Sequence, residues 1–217
     1  MSDEVVLRGA GTVLVSHCTL GSGISCSKGP IALCLENSRS GPITINDSSS
    51  LVTATCSVID GAGRLALGGP EGTWGPAAQV ESCTILGDVK VAEIINATDT
   101  MFLGEVHAQR RHEGRMYHCA FASSMHIPQV IECMVFQRNS QGSEERPIPQ
   151  FISNDFGQPG YAQLTDESIA IYGTGASHGY SIGVFGPLCE RARINYFDAV
   201  LREFLPVGWS ANIQFVN

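Results

Sequence analysis

Short apolar stretches bounded by Gly, Asn, Asp or Pro recur along most of this chain. From residue 5 hydrophobic and polar positions alternate weakly and end in Val13-Leu14-Val15-Ser16-His17-Cys18-Thr19-Leu20-Gly21, which predicts a strand followed by a turn. Further strands are predicted over Ile31–Ser38, Ile43–Asp47 and Leu51–Gly61, separated by turn residues at Gly21–Pro30 and Gly41-Pro42. The glycine-rich segment from Gly61 to Pro76 reads as a loop outside this pattern. Between Gln79 and Ala122 about five more short strands follow. This stretch contains Cys83-Thr84-Ile85-Leu86-Gly87, then Asp99-Thr100-Met101-Phe102-Leu103-Gly104, then Cys119-Ala120-Phe121. Cys83 and Asp99 are 16 residues apart, and Asp99 and Cys119 are 20 apart.

An echo at that spacing is the signature of a coiled solenoid. Antiparallel sandwiches also carry many short strands. The recurring Cys18-Thr19-Leu20, Cys56-Ser57-Val58, Cys83-Thr84-Ile85 and Cys119-Ala120-Phe121 favour a parallel β-helix instead, in which Cys83, Asp99 and Cys119 occupy one stacked position in successive coils. The predicted fold is all-β: a single-stranded right-handed parallel β-helix with a C-terminal helix and strand as its cap. Coils are expected over 1–136, a polar loop over 137–150, and C-terminal strands with a capping helix over 151–217. The helix spans Pro187 to Pro206, with Cys189, Ala192, Tyr196, Val200 and Phe204 on one stripe. Asn212-Ile213-Gln214-Phe215-Val216 reads as a closing strand.

Composition narrows the function more than the fold. Hydrophobic residues make up 43% of the 217 and charged residues 16%, which suits a packed globular chain. A net charge of -8 argues against nucleic acid, whose phosphates need clustered Lys and Arg. No run of apolar residues is long enough to predict a membrane span. The acidic Met1-Ser2-Asp3-Glu4 start does not resemble a signal peptide, so a cytoplasmic protein with reduced cysteines is expected.

Certain blocks resemble a known family. One is Asn96-Ala97-Thr98-Asp99-Thr100-Met101-Phe102-Leu103-Gly104-Glu105-Val106, running into Gln109-Arg110-Arg111-His112-Glu113-Gly114. A second is Gly157-Gln158-Pro159-Gly160-Tyr161-Ala162-Gln163-Leu164, and a looser third runs from Gly179 to Phe185 and on through the helix. In their order they resemble the right-handed parallel β-helix proteins encoded in bacterial gene clusters for phage-tail-like contractile injection systems, beside baseplate-assembly genes. Arg115 stands where that family has Cys, and Gly179-Tyr180-Ser181-Ile182-Gly183 replaces its acidic Gly-x-Glu-Met-Gly segment. These departures bear on surface contacts and not on the fold. The resemblance implies a non-enzymatic structural component that docks with other subunits of the particle, and with copies of itself. It implies no cofactor and no catalytic residue. Arg110 and Arg111 are its candidate partner contacts.

The alternative is a carbohydrate-active β-helix, either a polysaccharide lyase or hydrolase or a tailspike-like receptor binder. It requires paired carboxylates in a groove beside stacking aromatics. Asp47, Asp60, Glu81, Asp88, Glu93, Asp99 and Glu105 are the acidic candidates, with Arg110 and Arg111 as possible bases, but Trp74 and Trp209 are isolated in sequence. Asp60 and Asp88 flank glycines and read as turn residues. His107, His112, His118 and Cys119, and the pair His17-Cys18, lack zinc-ligand spacing. The cysteines that recur with the coil read as interior packing, and Cys133 as a residue of an apolar face.

Overall fold

A computed structural model describes residues 4–122, 126–136, 146–188, 190–206 and 208–209. The chain is mostly β. Its strands are β1 (Val5–Leu7), β2 (Gly11–Ser16), β3 (Ile24–Cys26), β4 (Ile31–Glu36), β5 (Arg39–Ser40) and β6 (Ile43–Ile45). They continue as β7 (Leu51–Thr55), β8 (Val58–Gly68), β9 (Gly75–Glu81), β10 (Thr84–Thr98) and β11 (Met101–Phe102). The last are β12 (Val106–Ala108), β13 (Arg115–Tyr117), β14 (Ala120–Ala122), β15 (Gln129–Ile131) and β16 (Met134–Phe136). Among the described residues two α-helices follow, α1 (Asp166–Tyr172) and α2 (Glu190–Phe204).

All the strands join one large parallel sheet that curls into a half-barrel. Pairing runs along three ladders. In the first, Val5 opposes Ile24, Ile24 opposes Ile43, Ile43 opposes Leu67 and Val89 opposes Val106. In the second, Val13, Leu33, Val52 and Ala78 are successive partners. In the third, Ile59, Ile85, Phe102, Phe121 and Val135 are. Each ladder places an apolar residue directly on the one before it. Alternation along a strand then sends every second side chain to the same side, and Ile24, Leu33, Ile43, Val52, Ile59, Ile85 and Phe102 share one buried core.

Corner residues join the ladders. His17, Asn37, Cys56, Ser82, Asp99, His118 and Glu132 all have φ between 45° and 52°, the left-handed region that turns the chain sharply. The next residue in each case is Cys18, Ser38, Ser57, Cys83, Thr100, Cys119 or Cys133, a small side chain that hydrogen-bonds the backbone just before it. The Ser38, Ser57 and Thr100 hydroxyls donate to carbonyls two residues back at 2.7, 2.8 and 2.9 Å, and the thiols of Cys18, Cys83 and Cys119 do so at 3.1, 3.2 and 3.1 Å. The backbone N–H of one corner donates to the side chain of the next: Cys18 to Ser38, Ser38 to Ser57, Cys83 to Thr100 and Cys119 to Cys133, over separations of 20, 19, 17 and 14 residues.

The stacked position expected at Cys83, Asp99 and Cys119 is thus off by one residue in places. Thr100, not Asp99, stacks with Cys83 and Cys119, and Ser57, not Cys56, stacks with Ser38. Asp99 and Cys56 hold the left-handed turn just before it. The segment expected to loop out from Gly61 is likewise largely strand, since β8 continues to Gly68 and only the turn around Pro70–Gly72 leaves the sheet.

The C-terminal part lies along a flank of the third ladder. Met101, Ala120 and Phe136 form a second core with Leu164, Tyr172, Ala176 and Ile182. Polar bonds fasten the layer. Asp99 Oδ1 accepts the Ser177 N–H and Oδ2 the Ser177 hydroxyl, both at 2.6 Å, and the Val184 N–H donates to Thr84 Oγ1 at 3.1 Å. Asp60 accepts from Tyr161 Oη at 2.6 Å and pairs with Arg39 at 3.1 Å, while the Arg39 guanidinium lies 3.4 Å from the Phe156 ring centroid. Within the layer α1 was not expected. Thr165 caps it by accepting the Ser168 N–H, and Asp166 and Glu167 sit in its first turn. In α2, Tyr196 is 74% and Phe204 79% exposed, so these two members of the expected capping stripe are not buried against the sheet. Cys189, the predicted closing strand over 212–216 and most of the polar loop lie outside the described residues.

Burial first, and then the bond to Asp60, push the Tyr161 hydroxyl up to about 12. Burial alone takes Tyr172 up to about 12. The fold therefore holds these protons more tightly than the unfolded chain, whose tyrosines titrate near 10. Stability from both is complete below about pH 10 and is lost as pH rises from about 10 to 12. A denaturation midpoint followed against pH should fall across that window, and Tyr161→Phe should be less stable at neutral pH yet show a shallower alkaline fall.

Candidate functional site

Two neighbouring depressions share Asp88 and form a trough across the outer face of the strands. One, of about 590 Å³, is lined by Asp60, Asp88, Gln150 and Asn154. The other, of about 600 Å³, is lined by Trp74, Asp88, Lys90, Glu105, His107 and His126. Parallel register builds the second: Lys90 on β10 opposes His107 on β12, and the Ala108 N–H ties β12 to the carbonyl of His126 at 2.8 Å. Side chains at one outward position therefore line up from strand to strand. The Pro70–Gly72 turn brings Trp74 over the row, with the Lys90 ammonium 5.1 Å from its ring centroid and bonded to the Gly72 carbonyl. His107 Nε2 lies 3.2 Å from Glu105 Oε2, and its ring centroid is 5.8 Å from that of His126.

The fold thus joins a tryptophan, an ammonium, imidazoles and two carboxylates that look unrelated in sequence. Trp74 is isolated there, and His126 lies in no recognisable motif. The missing signal was strand register, which short apolar runs do not specify to the residue.

Most of the acidic candidates are engaged internally. Both Asp99 oxygens are taken by Ser177. Asp60 Oδ2 is shared by Arg39 and Tyr161, while Oδ1 accepts the Ala62 N–H at 2.8 Å. Asp88 Oδ1 accepts the Glu105 N–H at 2.9 Å, and Asp47 accepts from Ser49, which holds its carboxyl below the usual range. Glu93 pairs with Arg110 at 2.8 Å, and Arg110 also reaches Glu113 at 3.4 Å. Of the two arginines proposed as partner contacts, Arg110 is therefore bound within the chain, while Arg111 is exposed in the adjoining turn.

His17-Cys18 and His118-Cys119 are corner dipeptides. Among the described residues no group of three or more His, Cys, Asp or Glu is placed to hold a metal ion. The thiols differ with depth. Burial pushes Cys83 up to about 12, and burial followed by the charge of Glu81 raises Cys56. Burial also takes Cys119 well above the usual thiol value. Cys133 goes the other way, down to about 7, chiefly through its side-chain interaction with Cys119 and in spite of its own partial burial.

An apolar cavity of about 230 Å³ lies under the C-terminal layer, between Met101 and Thr84 on one side and Phe151, Ile169, Ile182 and Phe185 on the other. No helix among the described residues is long and apolar enough to cross a membrane. Comparison with known family models, with curated proteins and with solved structures gives no match.

Proposed function

We propose that the chain is a short right-handed parallel β-helix that acts as a non-enzymatic structural component of a phage-tail-like contractile injection particle, docked in or against its baseplate region. The particle is suggested by the sequence resemblance at residues 96–114 and 157–164. The three parallel ladders and the stacked corner residues support the β-helix reading.

One observation carries docking as the mode of action. Among the described residues no strand pairs with the outer edges of β1 and β2, and there Val6 is 50% and Leu14 61% exposed. An unpaired edge with apolar side chains is suited to receiving a strand from another subunit. The acidic candidates point the same way, since Asp60, Asp99 and Glu93 are engaged in bonds within the chain. The expected occupant of the edge is a subunit of the particle, with assembly taking place in the cytoplasm.

Purified particles should contain the chain at fixed stoichiometry by mass spectrometry. Leu14→Lys, on an exposed side chain, should leave the melting midpoint nearly unchanged but lower incorporation about tenfold, as loss of one interface anchor does. Full incorporation of that variant would place the docking surface elsewhere, and absence of the wild-type chain from particles would overturn the reading.

A second reading has its own observation. The trough with Trp74, Lys90, Asp88, Glu105 and His107 is the carboxylate-and-aromatic groove that a carbohydrate-active β-helix requires. Binding or cleavage of an acidic oligosaccharide by the isolated chain, lost in Trp74→Ala, would decide for it.

A further inference from the structure

Among the described corner positions, Cys119 and Cys133 are the one place where thiols stand on consecutive rungs. Elsewhere the rung beside a cysteine carries a hydroxyl: Ser38 follows Cys18, and Ser57 and Thr100 flank Cys83. Ala120 opposes Met134 in parallel register, so Cys119 and Cys133 are direct neighbours across the β14–β16 pair. The Cys119 N–H donates to Cys133 Sγ at 3.3 Å. Adjacent strands lie about 4.8 Å apart, inside the Cα separation of about 4.4 to 6.8 Å that a disulfide spans. The Cβ atoms of such neighbours must draw together slightly to close the bond, and β16 is the outermost described strand of its ladder, held by β14 on one side and by a single bridge from Phe136 to Arg146.

We propose that Cys119 and Cys133 form a hydroperoxide-sensitive thiol pair that closes to a disulfide and staples the β15–β16 coil to the one before it.

The two sulfurs have different environments, which sets the order of events. Cys119 is fully buried, whereas Cys133 is partly open. Cys133 also has neighbours that favour a thiolate: it accepts the Cys119 N–H, the Cys119 side chain is within hydrogen-bond reach, and the imidazole of His118 is close enough to favour negative charge, while its own sulfur also lies 3.3 and 3.4 Å from the Ile131 and Met116 carbonyls. His118 in turn lies 3.2 Å from Glu132. Thiolate character and access make a cysteine oxidisable, and a second thiol in reach resolves the product.

In the first step the Cys133 thiolate attacks one oxygen of hydrogen peroxide. The O–O bond breaks, a sulfenic acid forms, and the departing hydroxide takes up a proton as water. In the second, the Cys119 sulfur attacks the Cys133 sulfur as its proton leaves. The S–O bond breaks, a second water departs and the S–S bond forms. Two thiols and one peroxide thus give one disulfide and two waters, with peroxide reduced and both sulfurs oxidised.

The test is peptide mapping of the full chain by mass spectrometry, without reductant, after stoichiometric peroxide near neutral pH. A Cys119–Cys133 cross-linked peptide should be the main product, with Cys18 and Cys83 still reduced. Cys119→Ser should fold, since serine fills the same corner position at Ser38 and Ser57. In that variant Cys133 should accumulate as a sulfenic acid trapped by dimedone, at least tenfold more than in wild type. Oxidation of the exposed Cys18 ahead of Cys133, or equal dimedone labelling of Cys133 with and without Cys119, would overturn the proposal.

Discussion

Gly104→Ala is expected to destabilise the protein by about 3 kcal/mol, at the upper end of what forced overpacking costs. A Cβ at this position would lie 2.2 Å from both the carbonyl carbon and the oxygen of Gly87, and 2.5 Å from the Asp88 nitrogen. These are backbone atoms of β10, so no side chain can swing aside and relieve the contact. Gly104 has no positive φ, so the cost comes from space and not from backbone conformation. Gly87 is pinched in turn, since a Cβ there would meet the Arg64 carbonyl at 2.3 Å. The glycines that end two of the repeating blocks thus let neighbouring strands approach between the third and first ladders. Gly21→Ala is the matched control: nothing lies within 4 Å of its Cβ position and its φ is not positive, so its stability should stay within about 0.5 kcal/mol of wild type. Urea denaturation midpoints of the two variants provide the comparison, and similar losses in both would show that close contact with β10 is not what Gly104 serves.

Those glycines also mark what was legible in the sequence. Period, strand length and parallel stacking come from local features, namely short β-rich runs punctuated by turn residues, and the strands expected over Ile31–Ser38, Ile43–Asp47 and Leu51–Gly61 appear as β4, β6, β7 and the start of β8. The corner register was harder, because the signal is a pair of residues and the more conspicuous member is not always the stacked one. At Asp99-Thr100 and Cys56-Ser57 the conspicuous residue takes the left-handed turn. Asn, Asp and His tolerate that conformation best, which explains His17, Asn37, Asp99 and His118, but Cys56, Ser82 and Glu132 carry no such mark. Helix α1 has a local signature in Thr165-Asp166-Glu167-Ser168, yet its seven residues are too few to show an apolar stripe. The contacts that fasten the flanking layer carry no local signal at all. Arg39 and Tyr161 are separated by 122 residues and Asp99 and Ser177 by 78, and only the folded register brings them together. The trough was hidden for the same reason, since Trp74 meets Lys90 only after the Pro70–Gly72 turn folds back over the strands.

Asp99 serves both the turn and the flanking layer, so its replacement should separate the two in a measurable way. Asp99→Ala is expected to cost about 4 kcal/mol. Two bonds from Ser177 to a carboxylate that is 3% exposed are lost, each worth about 1.5 to 3 kcal/mol in such a setting, and alanine at a φ of 52° adds about 1 kcal/mol of backbone strain. Asp99→Asn should cost about 1 to 2 kcal/mol. Asparagine accepts the left-handed turn, its Oδ1 still receives the Ser177 N–H, and its amide can donate to the Ser177 hydroxyl once that hydroxyl rotates. The loss should begin in the layer. Gly183 donates its N–H to the Asp99 carbonyl at 2.9 Å, and Ser177 donates to the side chain, so both amides report directly on this anchor. In Asp99→Ala their hydrogen exchange should accelerate about a thousandfold, the equivalent of the 4 kcal/mol lost. Amides of the first ladder, such as Ile24 and Val89, should change far less. Equal acceleration at all four amides would mean that the layer and the sheet unfold as one unit, and that Asp99 acts through the turn alone.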